Sequence, residues 1–312
     1  MNLSQIKTKN NSKNARNAFV VLIFLASALL IITKQNLLQN AIEMSLKICI
    51  STIIPSVFPF MILSDYLICN FSLDKSALPA RIFSKIFSIN SVGFLPFLIG
   101  NVCGFPLGAQ MATRLYEEKY INRDEYERLI PLCSNPSVAF VISGVGAGIR
   151  GSIKEGAILF VAILISTVIS GVIWRNSNSA KDFQEIFTHK SFSLAASIKN
   201  AALSSIYVSA YIIFFSIIIA ILKSMKIPEF MHLTLASFLE IGNASSLIAK
   251  SNIGRLSMPL TAFSLAFSGV SVYMQVLCFS SIDVKNKYYI SIKLTEGLIA
   301  FILTLAMSLL ML

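Results

Sequence analysis

IFSINSVGFLPFLIGNVCGFPLGAQMAT, residues 86–113, is 28 residues long and carries no charge. As a single helix it would run about 42 Å, too long for a hydrocarbon core of about 30 Å unless strongly tilted. It also holds Gly93, Pro96, Gly100, Gly104, Pro106 and Gly108, a density that breaks helices. The alternative is a re-entrant hairpin, in which two half-helices enter and leave the bilayer on one side. Irregular backbone is tolerated at membrane depth only where it is buried in protein or lines a cavity. The choice between these two readings decides the topology of the chain.

Further uncharged runs cover 129–149, 156–174, 200–222 and 256–282, and several reach the roughly 20 residues that cross a bilayer as a helix. Of 312 residues, 55% are hydrophobic and 13% are charged, about half the charged share of an ordinary soluble domain. Folded in water, such a chain would expose a large apolar surface. The net charge of +11 forms no basic stripe. Its lysines and arginines sit in short loops between apolar runs, which argues against nucleic acid as a partner and for topology signals and anionic headgroups. Lys7, Lys9, Lys13 and Arg16 precede the apolar run Ala18–Thr33, which is followed by Lys34 and Gln35 and not by small residues. This predicts a retained first helix with a cytoplasmic N-terminus.

Counting Lys and Arg tests the hairpin. With 93–113 and 230–249 both re-entrant, cytoplasmic segments carry 18 of the 26 basic residues; with both spanning, they carry 14. The positive-inside rule thus favours a re-entrant first segment. It leaves the second open, because letting 230–249 span alone gives 17. Three short matches recur in the same order: Ser45-Leu46-Lys47 and Ser197-Ile198-Lys199, Ile99-Gly100-Asn101 and Ile241-Gly242-Asn243, Ser143-Gly144-Val145 and Ser268-Gly269-Val270. The expected fold is an all-α polytopic membrane protein with seven to eight transmembrane helices and one or two re-entrant hairpins in an inverted repeat. Residues 1–44 form the N-terminus and an extra first helix, 45–175 the first repeat and 176–312 the second.

Three places could carry chemistry. In Ile99–Gln110, Gly100, Gly104 and Gly108 recur every four residues beside Asn101 and suit close helix approach. Pro106 suits the first position of a new half-helix, whose free N–H groups would favour an anion; the other reading is a packing interface with a proline kink. In Cys133–Val138, Asn135-Pro136 breaks the helix within an uncharged run, and Asn135 and Ser137 offer polar side chains. Glu240, followed by Asn243, is an ionisable group in an apolar segment and a functional candidate for that reason, unless it pairs with a neighbour. Gln275 and Tyr273 could complete a polar pocket. Asp65 and Glu296 read as helix-end residues, and Lys47 and Lys199 as snorkelling ones. The charged loop 114–128 reads as an amphipathic turn with a solvated face. Cys49, Cys69, Cys103, Cys133 and Cys278 show no paired spacing, and His189 and His232 stand alone. No nucleophile triad, HExxH or phosphate loop occurs, so neither metal, cofactor nor enzymatic activity is expected.

Gly104-Phe105-Pro106-Leu107-Gly108-Ala109, then Leu115-Tyr116-Glu117, Cys133-Ser134-Asn135-Pro136-Ser137 and the glycines at 144, 146 and 148 resemble the YlbJ-type sporulation integral membrane proteins, which carry a nucleoside-recognition or Gate domain. The similarity extends to Glu240 and to Gly269–Gln275. Ser134 and Val138 depart from that pattern, where Asn and Pro are common. The resemblance implies a multi-pass protein of a forespore-surrounding membrane that moves a small anion of the dipicolinate type. It also implies other sporulation membrane proteins among its partners. Alternatives are a nucleoside or ion permease and a scaffold that transports nothing.

Overall fold

The structure is a computed structural model that describes residues 29, 31–70, 77–176, 193–280 and 286–310. The basic N-terminus, most of Ala18–Thr33, His189 and the side chains of Asp65 and Cys69 lie outside the described residues. Helices are the only regular structure among the described residues. Four are long and apolar enough to cross a membrane: Ile153–Ile173, Leu194–Ser224, Gly254–Cys278 and Tyr288–Leu309. A fifth would be Leu78–Phe87 with Ser91–Val102, a pair bent by 103°. The described residues therefore do not reach seven to eight, because several apolar runs are cut into short helices.

In chain order, α1 (Gln35–Ile48) passes through a π-helical turn at Cys49–Ile53 into α2 (Ile54–Asn70). The helix widens directly before Pro55 and Pro59, which cannot donate to the regular ladder. Next, α3 (Leu78–Phe87) buries Ala80, Phe83 and Phe87 and exposes Leu78 and Ile82. It stops at Ser88, which is left-handed at φ 50°. Beyond the bend, α4 (Phe94–Val102) and α5 (Leu107–Glu117) form a helical hairpin. It is followed by α6 (Arg123–Leu132), the extended residues 134–137, a π-helix at Phe140–Ile149 and α7 (Ile153–Ile173).

The second half opens with α8 (Leu194–Ser224), which packs against α1 and α2. Then come α9 (Glu229–Leu239) and α10 (Ile241–Lys250), broken at Glu240, and α11 (Ser257–Phe267) and α12 (Gly269–Phe279), broken at Ser268. The last helix, α13 (Asn286–Leu310), packs against α11, α7 and α6. One apolar cluster runs from Cys49 to Ala300 and draws on both halves.

The recurring tripeptides do not mark matching places. Ile99-Gly100-Asn101 closes α4, whereas Ile241-Gly242-Asn243 opens α10; Ser143–Val145 lies inside the π-helix, whereas Ser268–Gly269 makes a break. What does recur is a pair of breaks in each half, at 103–106 and 134–137, then at 240 and 268.

The charged loop 114–128 is not simply a solvated face. Glu125, Glu127 and Arg128 are buried. Arg128 donates to the carbonyls of Phe87 (2.8 Å) and Ser88 (2.9 Å), capping α3, while Glu125 accepts from the Asn90 N–H at 2.8 Å. Burial pushes the Glu125 carboxyl above the usual carboxylate range, against the backbone donors that pull it down. These bonds fix the bend at 88–90. Sequence periodicity missed them because the partners lie some 40 positions upstream in the chain.

Candidate functional site

The first half brings its two motifs together by backbone contact. A Cβ on Gly100 would sit 2.0 Å from the Cys133 carbonyl oxygen, and one on Gly108 would sit 2.3 Å from the same atom. Gly104, at φ +87°, lies against the Ser137 backbone nitrogen, and the Phe105 N–H donates to the Asn135 carbonyl at 2.9 Å. Gly104 and Gly108 thus serve close approach, as the packing alternative expects. Pro106 precedes α5, and the helix starts at Leu107.

That docking aligns two asparagines. Asn101 Nδ2 donates to the carbonyls of Phe97 (2.8 Å) and Leu132 (3.0 Å). Asn135 Nδ2 donates to Asn101 Oδ1 at 2.9 Å and to Thr167 Oγ1 at 3.0 Å. The Oδ1 of Asn135 accepts from Lys293 Nζ at 2.7 Å, and Lys293 also donates to Glu296 Oε2 at 2.6 Å. Lys293 and Glu296 are 1% and 0% exposed. Glu296 is therefore no helix-end residue: it forms a buried ion pair with Lys293 one turn away on α13. Its Oε1 makes no hydrogen bond. The charge count that favours a re-entrant first segment places Lys293 in a cytoplasmic segment, 283–293. The overlooked signal was an i, i+3 pair of opposite charges just inside an apolar run, which can lie buried together.

The second half is joined similarly. Glu240 is the extended residue between α9 and α10 (φ −155°, ψ 128°), and its carboxylate caps α10. It accepts from the N–H groups of Gly242 (2.7 Å) and Asn243 (2.6 Å) and from Asn243 Nδ2 (2.8 Å). Of the two sequence readings of Glu240, a functional group or a residue paired with a neighbour, the structure shows the local pairing, because a helix N-terminus supplies the donors that an anion needs. Gly269, at φ +72°, packs its Cα against the Leu239 carbonyl, where a Cβ would come within 2.9 Å. The second break then reaches across: Ser268 Oγ donates to the Ser134 carbonyl at 3.2 Å.

Three of the four breaks, at 103–106, 134–137 and 240, contribute to one small cavity lined by Cys103, Phe105, Pro136, Ser137, Glu240 and Gln275 among others. Its volume of about 20 Å³ has room for about one water. Of the residues singled out by sequence, Pro136, Ser137, Glu240 and Gln275 meet here. Asn101 and Asn135 belong to the buried network on α13's side, and Asn243 secures Glu240. Gln275 is 1% exposed; its Nε2 donates to Ser271 Oγ at 3.2 Å and its Oε1 has no hydrogen bond. Among the described residues, no three His, Cys, Asp or Glu side chains converge as metal ligands would.

Over 96% of its length the chain is 23% identical to the sporulation integral membrane protein YlbJ of Bacillus subtilis (strain 168), covering 82% of that protein. No family model matches, and no solved structure does. The likeness, together with the apolar helices, supports a YlbJ-type, sporulation-associated integral membrane protein.

Proposed function

We propose that the chain is a transporter or gated permease for a small anionic solute of the dipicolinate type, set in a forespore-surrounding membrane with its N-terminus in the cytoplasm. Under this reading α4–α5 is a re-entrant hairpin, 45–175 and 176–312 are inverted Gate-like repeats, and other sporulation membrane proteins are partners. The observation that supports it is the meeting of three of the four breaks, at 103–106, 134–137 and 240, at one cavity lined by Glu240 and Gln275. Broken helices that meet between two halves are the usual architecture of a solute site in secondary transporters. The cavity is too small for an organic anion, so this conformation is the closed one, and transport requires the breaks to part. The chemistry needed is binding and release, with no covalent step.

A second reading, a scaffold without flux, is favoured by the local satisfaction of Glu240 and of the Asn101–Asn135 pair. Uptake of dipicolinate into proteoliposomes containing the purified chain, with and without a sporulation partner, separates the two. The transport reading expects saturable uptake that Asn135→Ala reduces and that Glu240→Gln alters. Absence of uptake from every wild-type preparation would leave the scaffold. In spores, normal dipicolinate content in both variants would remove this site assignment.

A further inference from the structure

A second, larger cavity of about 200 Å³ lies between α1, α8, α9 and α10 and is lined by Asn40, Lys223, His232, Asn243 and Lys250 together with apolar side chains. Lys223 stands in the last turn of α8 and Lys250 in the last turn of α10, both exposed. Among the described residues no carboxylate lines this cavity. Asn243 lines it, and Asn243 is the residue that grips Glu240 through backbone and side-chain N–H groups at 2.6 and 2.8 Å. Glu240 in turn lines the central cavity, which Asn243 does not. One hydrogen-bonded pair therefore stands between the two chambers, a basic one outside it and the small closed one within.

We infer that the cavity between Lys223 and Lys250 is a vestibule that captures a small carboxylate-bearing anion, and that the Glu240–Asn243 clasp is the barrier closing it from the central cavity. The inference rests on the transport reading for its direction of passage but not for the capture site. Two ammonium groups beside a cavity without carboxylates raise the local concentration of anions, over a range set by a Debye length of about 8 Å at physiological salt. The clasp suits a barrier because its donors are the backbone N–H groups of a helix N-terminus. A carboxylate of the solute offers those donors the same acceptors that Glu240 does and can replace it there. Glu240 then swings away from the dipole end and the two chambers join. His232 is unavailable for capture through Nε2, which pairs with the Ile219 carbonyl at 3.1 Å. The lysines could instead hold lipid phosphates, an occupant of the same chemistry.

The test uses the full chain in vesicles of phosphatidylcholine alone, where no anionic headgroup competes, with dipicolinate as probe and uridine as neutral control. Lys223→Gln/Lys250→Gln is expected to raise the half-saturating dipicolinate concentration about tenfold. Its maximal rate should hold, its salt dependence should flatten, and any uridine flux should be unchanged. Lys223→Arg/Lys250→Arg should restore the wild-type value. Unchanged half-saturation in the Gln variant overturns the vestibule. So does a lysine dependence that appears only when phosphatidylglycerol is added, which would assign the lysines to lipid. For the clasp, Glu240→Ala should speed efflux of preloaded dipicolinate several-fold, and the milder Asn243→Ala should do so to a smaller extent. Efflux no faster than wild type in both, with normal elution on size exclusion, overturns the barrier. Equilibrium dialysis of dipicolinate against the solubilised chain keeps the two readings apart. Lysine-dependent binding without flux would retain the capture site and sink transport, whereas flux without lysine dependence would do the reverse.

Discussion

Replacing Lys293 by Met removes the one hydrogen-bond donor, among the described residues, to a carboxylate that is 0% exposed. Both oxygens of Glu296 are then without partners, since Oε1 has none to begin with. Breaking a buried pair from one side costs about 3–5 kcal/mol. The carbonyl oxygen of Asn135 also loses its donor, at about 1–3 kcal/mol. Glu296→Gln is expected to cost somewhat less, because Lys293 keeps its bond to Asn135. The informative variant is the double one, Lys293→Met/Glu296→Leu. Replacing a buried pair by apolar side chains is neutral or stabilising by about 1–4 kcal/mol, and the orphaned Asn135 oxygen offsets most of that gain. The double variant should therefore lie within about 2 kcal/mol of wild type and above either single variant. Unfolding midpoints in mixed micelles, completed as a double-mutant cycle, read this directly. Single losses that simply add in the double variant would refute the geometry of the pair. Uptake measured on the same proteins then separates roles: a stable double variant without flux means that the pair acts in transport, and one with normal flux means that it only fixes α13.

Four further outcomes follow from contacts already described. Gly100→Ala drives a Cβ to 2.0 Å from the Cys133 carbonyl, a backbone atom. It should cost more than about 4 kcal/mol, seen as loss of a monodisperse peak on size exclusion; a well-behaved variant would show that the hairpin does not dock as described. Arg128→Ala strips two carbonyl contacts from the end of α3. It should lower stability by about 2–4 kcal/mol, and protease cleavage near 88–90 should increase at the same time. Gly269→Ala meets both a φ of +72° and the Leu239 carbonyl, so it should destabilise by about 1–3 kcal/mol, a smaller effect than Gly100→Ala in the same assay. Asn135→Asp keeps the acceptor for Lys293 but loses the donor to Asn101 and Thr167. It should be less stable than wild type yet more stable than Asn135→Ala in the unfolding assay.

The membrane class and the breaks were legible because both are local. Apolar runs, glycines and prolines state their physics within about ten residues, and the break at Asn135-Pro136 lies where an X-Pro step removes a donor. The partners of those breaks were not legible. Gly100 and Gly108 gave the period of a packing face but not its counterpart, the Cys133 carbonyl, which a backbone contact leaves without any side-chain signature. Lys293 was hidden by its position at the edge of an apolar run, where a loop lysine and a buried one look alike until a carboxylate is found beside it. The charges of 114–128 misled in the opposite sense: i, i+4 spacing accounts for Arg123–Glu127 and Arg128–Asp124, but not for what the same arginine does with the carbonyls of α3.

The breaks expose backbone groups that a membrane interior cannot satisfy, and several of the breaks meet one another. Phe105 donates to Asn135, Gly269 abuts Leu239, and Ser268 reaches Ser134 across the two halves. A break whose partners came from regular helices could be filled once and left. The two hydrogen bonds among these contacts, Phe105 to Asn135 and Ser268 to Ser134, are of ordinary strength, each worth about 1 kcal/mol net. On the transport reading proposed above, that is a barrier a solute carboxylate can meet by supplying its own acceptors. The buried Lys293–Glu296 pair on α13 lies outside these contacts and holds Asn135, whose backbone carbonyl accepts from Phe105. A rigid anchor beside weakly bonded breaks is what a closed state needs if it is to open without unfolding, which is why the double variant at Lys293 and Glu296, stable but unanchored, is the experiment on which this account of the centre depends.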